Sequence, residues 1–189
     1  MANKIKYGLS RVYYAIATID TSTGAATYGT PVAIPGAVSM EIEPSGDSTK
    51  FYADNVAYAT FAANAGYEGT LEVALLPDSF RTAVLGETKS GDIQYEKAEA
   101  STTPFALLFQ FEGDDAATRH VFYNCTASRP SVKGATTEEE IEVQTEEVTI
   151  TVGSIYNAVL DANIVKGKCS DDTATVYTNW FSAVQQATS

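Results

Sequence analysis

One histidine, two cysteines and several runs of carboxylates are the residues of this 189-residue chain whose types could support catalysis or bind a metal. His120 sits in an alternating stretch beside Phe122, and no Ser or Cys stands in a G-x-S-x-G-like turn. A histidine base would have no nucleophile to serve, so His120 is expected to be structural. Cys125 and Cys169 are far apart and lack C-x-x-C pairing, which leaves a disulfide framework or a thiolate zinc site without support and makes both ordinary thiols. Asp114-Asp115, Asp171-Asp172 and the run Glu138 to Glu140 offer hard oxygen ligands, but none has the D-x-D-x-D-G spacing with which one loop wraps Ca²⁺. They read as solvated carboxylates. Gly66-Tyr-Glu-Gly69 lacks the glycine count and the βαβ setting of a dinucleotide loop and reads as a turn. There is no H-E-x-x-H, no Cys/His cluster and no P-loop. The expectation is a chain with no catalytic, cofactor-binding or metal-binding residue, no cofactor and no enzymatic activity.

Composition narrows the partners. With 24 acidic residues against 12 basic ones the formal charge is −12, the wrong sign for gripping nucleic acid, which needs clustered Lys and Arg against phosphate. Such a balance also keeps a β-rich chain in solution. The opening MANKIKYG has no apolar signal core, and no window reaches the roughly 18 apolar residues that span a bilayer. A cytoplasm-made chain with no membrane partner is expected, of a length that fits one domain.

The elements that would position any site are mostly strands. Val12, Tyr14 and Ile16 alternate with Arg11, Tyr13 and Ala15 in a first strand over 9–20, followed by a loop, TSTGAATYGT, and a short edge piece at 32–34. Val38, Met40 and Ile42 alternate with Ser39, Glu41 and Glu43 until Pro44. Residues 50–86 organise the rest: a turn at Gly66 and Gly69, a strand with Leu71, Val73 and Leu75 on one face, and then a change of period. Pro77 starts a short helix over 78–85, capped by Asp78 or Ser79, with Phe80, Val84 and Leu85 on its apolar side and Gly86 at its end. The polar stretch ETKSGDIQYEKAEAST reads as a loop with a short strand anchored by Ile93 and Tyr95. Phe105, Leu107, Phe109 and Phe111 face away from Ala106, Leu108 and Gln110 in a central strand. It is joined through Gly113-Asp-Asp to a partner in which Val121, Tyr123 and Cys125 oppose His120, Phe122 and Asn124. Between 138 and 152 the apolar positions switch parity, Ile141 and Val143 against Val148, Ile150 and Val152, so either a bulge lies near 144–147 or the strand leaves its sheet. After Ile155 come Gly167 and Lys-rich turns. Tyr177, Trp180, Phe181 and Val184 then mark a C-terminal helix over 175–184.

Residues 47–64 fit this plan least well. Phe51, Tyr52, Tyr58 and Phe61 stand among alanines, a mixture that suits either a hairpin of the chain's own sheet or an arm packed on another subunit.

The order "YADN", then "GYEGTLEVALLPDSFRTAVLGE", with "KIKYGLSRVYYA" near the start and "YTNWFSAV" near the end, resembles the major tail protein (tail-tube protein) of long-tailed phages infecting Gram-positive bacteria. The resemblance covers nearly the whole chain and rests on turn and packing motifs. It implies a mainly β protein, a single tail-tube domain over 1–189 forming an antiparallel β-sandwich or barrel with one short flanking helix and a C-terminal helix, and 47–64 as an inter-subunit arm or loop. Its implied partners are other copies of itself in hexameric rings stacked into a tube, together with tape-measure, tail-terminator and distal tail proteins. Phage DNA would pass through without specific binding, and the protein would reside in the virion. Phe51, Tyr52, Tyr58 and Phe61 are then the interface residues. Glu41, Glu43, Glu72, Glu138, Glu140 and Glu142 are the expected source of a negative lumen that keeps DNA from sticking. A β-sandwich surface-binding, adhesin-like module is the alternative, and a carbohydrate-active enzyme a more distant one.

Overall fold

Phe105–Gly113 carries apolar side chains on both faces and must therefore be covered on both sides; the structure gives it a core on each face. A computed structural model describes residues 4–46, 48–53, 56–62, 66–136 and 143–187. The elements run β1 (Lys6–Ile19), β2 (Ala26–Tyr28), β3 (Val32–Ala33), β4 (Ala37–Ser45), β5 (Ser48–Ala53), β6 (Val56–Ala62), β7 (Gly66–Val73) and α1 (Asp78–Ala83). They continue with β8 (Thr88–Ser90), β9 (Ile93–Tyr95), β10 (Phe105–Gly113), β11 (Thr118–Ala127), β12 (Glu146–Gly153), β13 (Ile155–Asn157), β14 (Ala162–Ile164), β15 (Lys166–Cys169) and α2 (Thr175–Thr178).

The fold is mainly antiparallel β, as the period-2 patterns predict. One nine-stranded sheet runs β2-β1-β10-β11-β12-β7-β4, with β3 added to β1 and β15 to β11. Its ends meet. Tyr13 on β1 pairs with Ala33 on β3, and the Ile34 N–H donates to the Val12 carbonyl at 2.8 Å. β4 begins only three residues later, a reach of about 10 Å, so the sheet curls into a barrel. Leu71, Val73, Phe105, Leu107, Val148 and Ile150 fill its interior.

Several side chains point where simple alternation does not send them, because bulges reset the register. Arg11, at φ 51, sits in a β1 bulge that lets Leu9 and Val12 both face the inner core. In β11, Cys125 lies opposite Phe105 while Phe122 lies opposite Leu107, three residues against two. Cys125 consequently joins Phe122 inside, and not Val121 and Tyr123, which face the outer core. A further irregularity after Ala37 turns Val38 outward, 53% exposed, while Met40 and Ile42 stay against the core.

Gly66 and Gly69 are not a turn but part of β7, paired with β12 on one side and β4 on the other. A Cβ on Gly69 would lie 1.9 Å from the Glu41 carbonyl oxygen, and one on Gly66 2.0 Å from that of Val152. Close backbone approach selects the glycines. β7 ends at Val73, so Leu75 is not on its inner face and is 70% exposed, while Leu76 is buried. Neither Asp78 nor Ser79 caps α1; Pro77 holds the cap position without a side-chain bond, and its carbonyl accepts from the Phe80 and Arg81 N–H groups.

α1 closes one end of the barrel. Phe80 meets Tyr14 and Phe105 edge-on, with centroids 5.1 and 5.5 Å apart. Glu146, at the start of β12, accepts from the Arg81 guanidinium and the Leu76 N–H, each at 2.6 Å, and so locks the helix to the sheet. The parity switch is an element boundary: β12 starts at Glu146, Val143 lies before it and is 74% exposed, and Ile141 is outside the described residues.

The outer core is sealed by the C-terminal segment. α2 is shorter than the apolar stripe suggests, ending at Thr178, yet the stripe still docks: Trp180 is buried against Ala15, Ala106 and Leu108. Its Nε1–H donates to the His120 carbonyl at 3.2 Å, and the Tyr177 hydroxyl to that of Ala117 at 3.0 Å. Small residues on the strands make room for the indole. The loop expected after β1 holds β2, and the region after Ile155 holds β13, β14 and β15 where turns were expected. Ile93 and Tyr95 are not anchors: β8 and β9 form a separate hairpin that leaves both side chains about half exposed.

Candidate assembly surfaces

Three surfaces combine chemistry with exposure. The first is the hairpin β5–β6, which runs from Ser48 opposite Ala62 to Ala53 opposite Val56 and forms a two-stranded sheet of its own. It leaves the barrel at the end opposite α1, beyond Ser45 of β4. Tyr58 is 75% exposed and Val56 59%. Phe51 and Tyr52 lie on β5 and Phe61 on β6, with side chains outside those described. The remainder of the expected arm, at 47, 54–55 and 63–64, is also outside the described residues.

The second is an acidic wall on the outside of β4, β7 and β12. Glu41 and Glu43 project from β4, and Glu43 lies directly opposite Glu68 of β7. Among the described residues none of the three has an ion-pair partner. Facing like charges destabilise a strand pair, so nothing in the monomer accounts for them. Glu72 is more settled: it accepts from the Thr145 and Ser39 hydroxyls, which hold its carboxyl below the usual range. A surface groove of about 400 Å³ runs between Glu43 and Glu68. Structure thus brings Glu41, Glu43 and Glu72 together on one wall, while Glu138, Glu140 and Glu142 lie outside the described residues.

The third surface was not foreseen. At the barrel end away from α1 the inner face finishes in a row of rings, with His120 stacked on Phe109 at 5.3 Å and edge-on to Phe111 at 5.5 Å. Lysines rim it: the Lys6 ammonium stands 4.3 Å from the Phe111 centroid, that of Lys166 is 4.6 Å from Tyr67, and Lys168 pairs with His120 across β15 and β11. Burial and the positive charges of Lys6, Lys168 and Lys166 pull the imidazole down to about 4. A neutral, stacked His120 with no nucleophile beside it is a packing residue. The alternation Lys166-Gly-Lys168 was the visible signal, since period 2 puts both lysines on one strand face.

The cysteines are both free, and burial pushes the Cys125 thiol up, away from reactivity. Among the described residues no group of three or more His, Cys, Asp or Glu could hold a metal ion, and no helix is long and apolar enough to cross a membrane.

No protein-family model matches the chain. Over 92 residues, 46% of this chain, the sequence is 28% identical to the membrane protein insertase YidC of Pseudoalteromonas translucida (strain TAC 125), and the match spans 16% of that protein. Among solved structures, the cryo-EM structure of the anti-feeding prophage cap, described as the AFP tube-terminating cap, aligns with a TM-score of 0.45 at 9% identity, covering 90% of this chain and 95% of that one.

Proposed function

We propose that this chain is a structural virion protein, the major tail-tube subunit of a long-tailed phage, assembling as hexameric rings stacked into the conduit for DNA ejection. The observation that carries the reading is the hairpin β5–β6: a two-stranded sheet outside the barrel that presents Val56 and Tyr58 to solvent. An isolated hairpin is marginal in water, so it gains order by packing on a neighbour. Its docking surface lies elsewhere on the next copy, which makes the contact heterologous: around a ring it closes, and along an axis it continues. The tail-tube motifs in the sequence support the same reading. Function then resides in surfaces, with no catalytic residue and no cofactor, and the remaining tail proteins engage the tube ends.

On this reading the wall of Glu41, Glu43, Glu68 and Glu72 faces the lumen. Like charge there repels DNA phosphates and lets the genome slide without settling into bound states. A tube whose lumen is lined mainly by Lys and Arg would refute that assignment.

The test of the function is negative-stain microscopy of the concentrated protein, with hollow rods of uniform width as the expected result. Replacing Phe51, Tyr52, Tyr58 and Phe61 together by Ser is expected to leave a β-type circular dichroism spectrum and abolish rods. Unfolding of that variant would place the aromatics in the subunit's own core, and normal rods would remove the arm assignment.

A further inference from the structure

The charges of this chain are sorted, not mixed. Acids outnumber bases two to one, 24 to 12, yet among the described residues no carboxylate pairs with Lys6, Lys166 or Lys168. All three gather at one barrel end, on the same face as the rings of Phe111, His120 and Tyr67. Phe111 and Tyr67 are only partly buried there. Ammonium groups held together over aromatic rings, in a chain with carboxylates to spare, make a surface complementary to an acidic, partly apolar partner.

The opposite end of the same molecule has that chemistry. Beyond α1, the β8–β9 hairpin is paired with no other strand and is tied back through Gln94, which donates to Glu87 at 2.8 Å. Asp92 at its tip and Glu99 beyond it are exposed, and Ile93 and Tyr95 are 57% and 49% exposed. Glu96 is already engaged with Arg129 at 2.9 Å.

We infer that the lysine-rimmed end of one copy receives the β8–β9 end of a second copy, with Asp92 and Glu99 meeting Lys6, Lys166 and Lys168 while Ile93 and Tyr95 cover the exposed ring edges. The inference rests on the tube reading and names the contact that stacks subunits along the axis. Because the two ends differ, the contact is head-to-tail and leaves a free end of each kind after every addition, as unlimited growth requires. It is a different surface from the β5–β6 arm and from the acidic wall. Each exposed ion pair adds little, but every ring repeats the contact, and repetition turns weak pairs into a cooperative, salt-sensitive junction.

The test is charge reversal read by microscopy and sedimentation velocity, with circular dichroism and a cooperative thermal transition as the check on folding. K166E/K168E and D92K/E99K are each expected to raise the concentration needed for rods by at least about tenfold, since reversal replaces attraction by repulsion. The combined four-site variant, with the signs exchanged, is expected to restore them. If either reversed variant fails to fold, K166Q/K168Q and D92N/E99Q take their place, with a smaller rise expected in the same direction. Rods that form unchanged in these variants, or a combined variant that does not recover, would overturn the inference and leave the tube reading standing. Absence of any association of the unaltered chain at any concentration would overturn both. A short DNA duplex retained by the unaltered chain and released by K166E/K168E would assign the lysines to phosphate and likewise overturn it.

Discussion

Gly69→Ala tests whether close backbone approach, and not turn formation, explains the glycine. The residue lies mid-strand between two partners, opposite Ile42 on β4 and Ile150 on β12. An added Cβ would sit 1.9 Å from the Glu41 carbonyl oxygen and 2.5 Å from the Ile42 Cα. A carbon and a carbonyl oxygen need about 3.3 Å or more, so β4 would have to move away by more than about 1 Å from a strand spacing of about 4.8 Å. That displacement lengthens the neighbouring ladder bonds past useful geometry, each worth about 0.5–1.5 kcal/mol, and adds an overpacking cost of about 1–3 kcal/mol. The expected loss is about 3 kcal/mol, a large part of the roughly 5–15 kcal/mol that holds a domain folded. Guanidinium unfolding followed by circular dichroism measures it, with Gly134→Ala as the control, because a Cβ there meets nothing within 4 Å. A Gly69→Ala loss below about 1 kcal/mol, or one equal to the control, would refute the reasoning. It would mean that β4 is free to slide and that its acidic side chains are not held in place.

Three further outcomes follow from the geometry. His120 is neutral in both states above pH 6.5, but as pH falls from 6.5 towards about 4 the unfolded chain takes up a proton that the folded chain refuses. Stability therefore drops with acidification, by about 1 kcal/mol between pH 7.5 and 5.5 after allowance for the partly exposed ring. Urea midpoints should show this slope, and His120→Phe should remove it. Trp180→Ala strips the outer core of its cover and of the bond to the His120 carbonyl, with an expected loss of about 3 kcal/mol in the same unfolding assay. Arg81→Met leaves Glu87, 9% exposed, and Glu146 without their cation and should cost about 2 kcal/mol, whereas Lys133→Met, which breaks the exposed pair with Glu147, should change thermal stability by less than about 0.5 kcal/mol.

What the sequence determined was set by local rules. Alternation in 105–111 predicted a strand covered on both faces, and Phe105, Leu107 and Phe109 do face a different core from Ala106 and Leu108. Pro77 followed by Phe80, Val84 and Leu85 fixed the helix and its buried side. The stripe at Trp180, Phe181 and Val184 marked the docking face although the helix beneath it is one turn long. Local chemistry also set the glutamates outward on β4. Only the tertiary structure decided the rest. Bulges at Arg11 and Val38, and the extra residue that turns Cys125 inward, are properties of two strands in register and have no signature in either strand alone. Gly69 reads as a turn until β4 is placed against it, and Glu43 gains meaning only opposite Glu68. Lys6 and Lys166 lie 160 positions apart and share a rim because antiparallel pairing carries β1, β10, β11 and β15 to the same barrel end. Side-chain periodicity is a property of one segment, whereas register and the identity of facing neighbours arise only when segments distant in the chain are brought together by a common core.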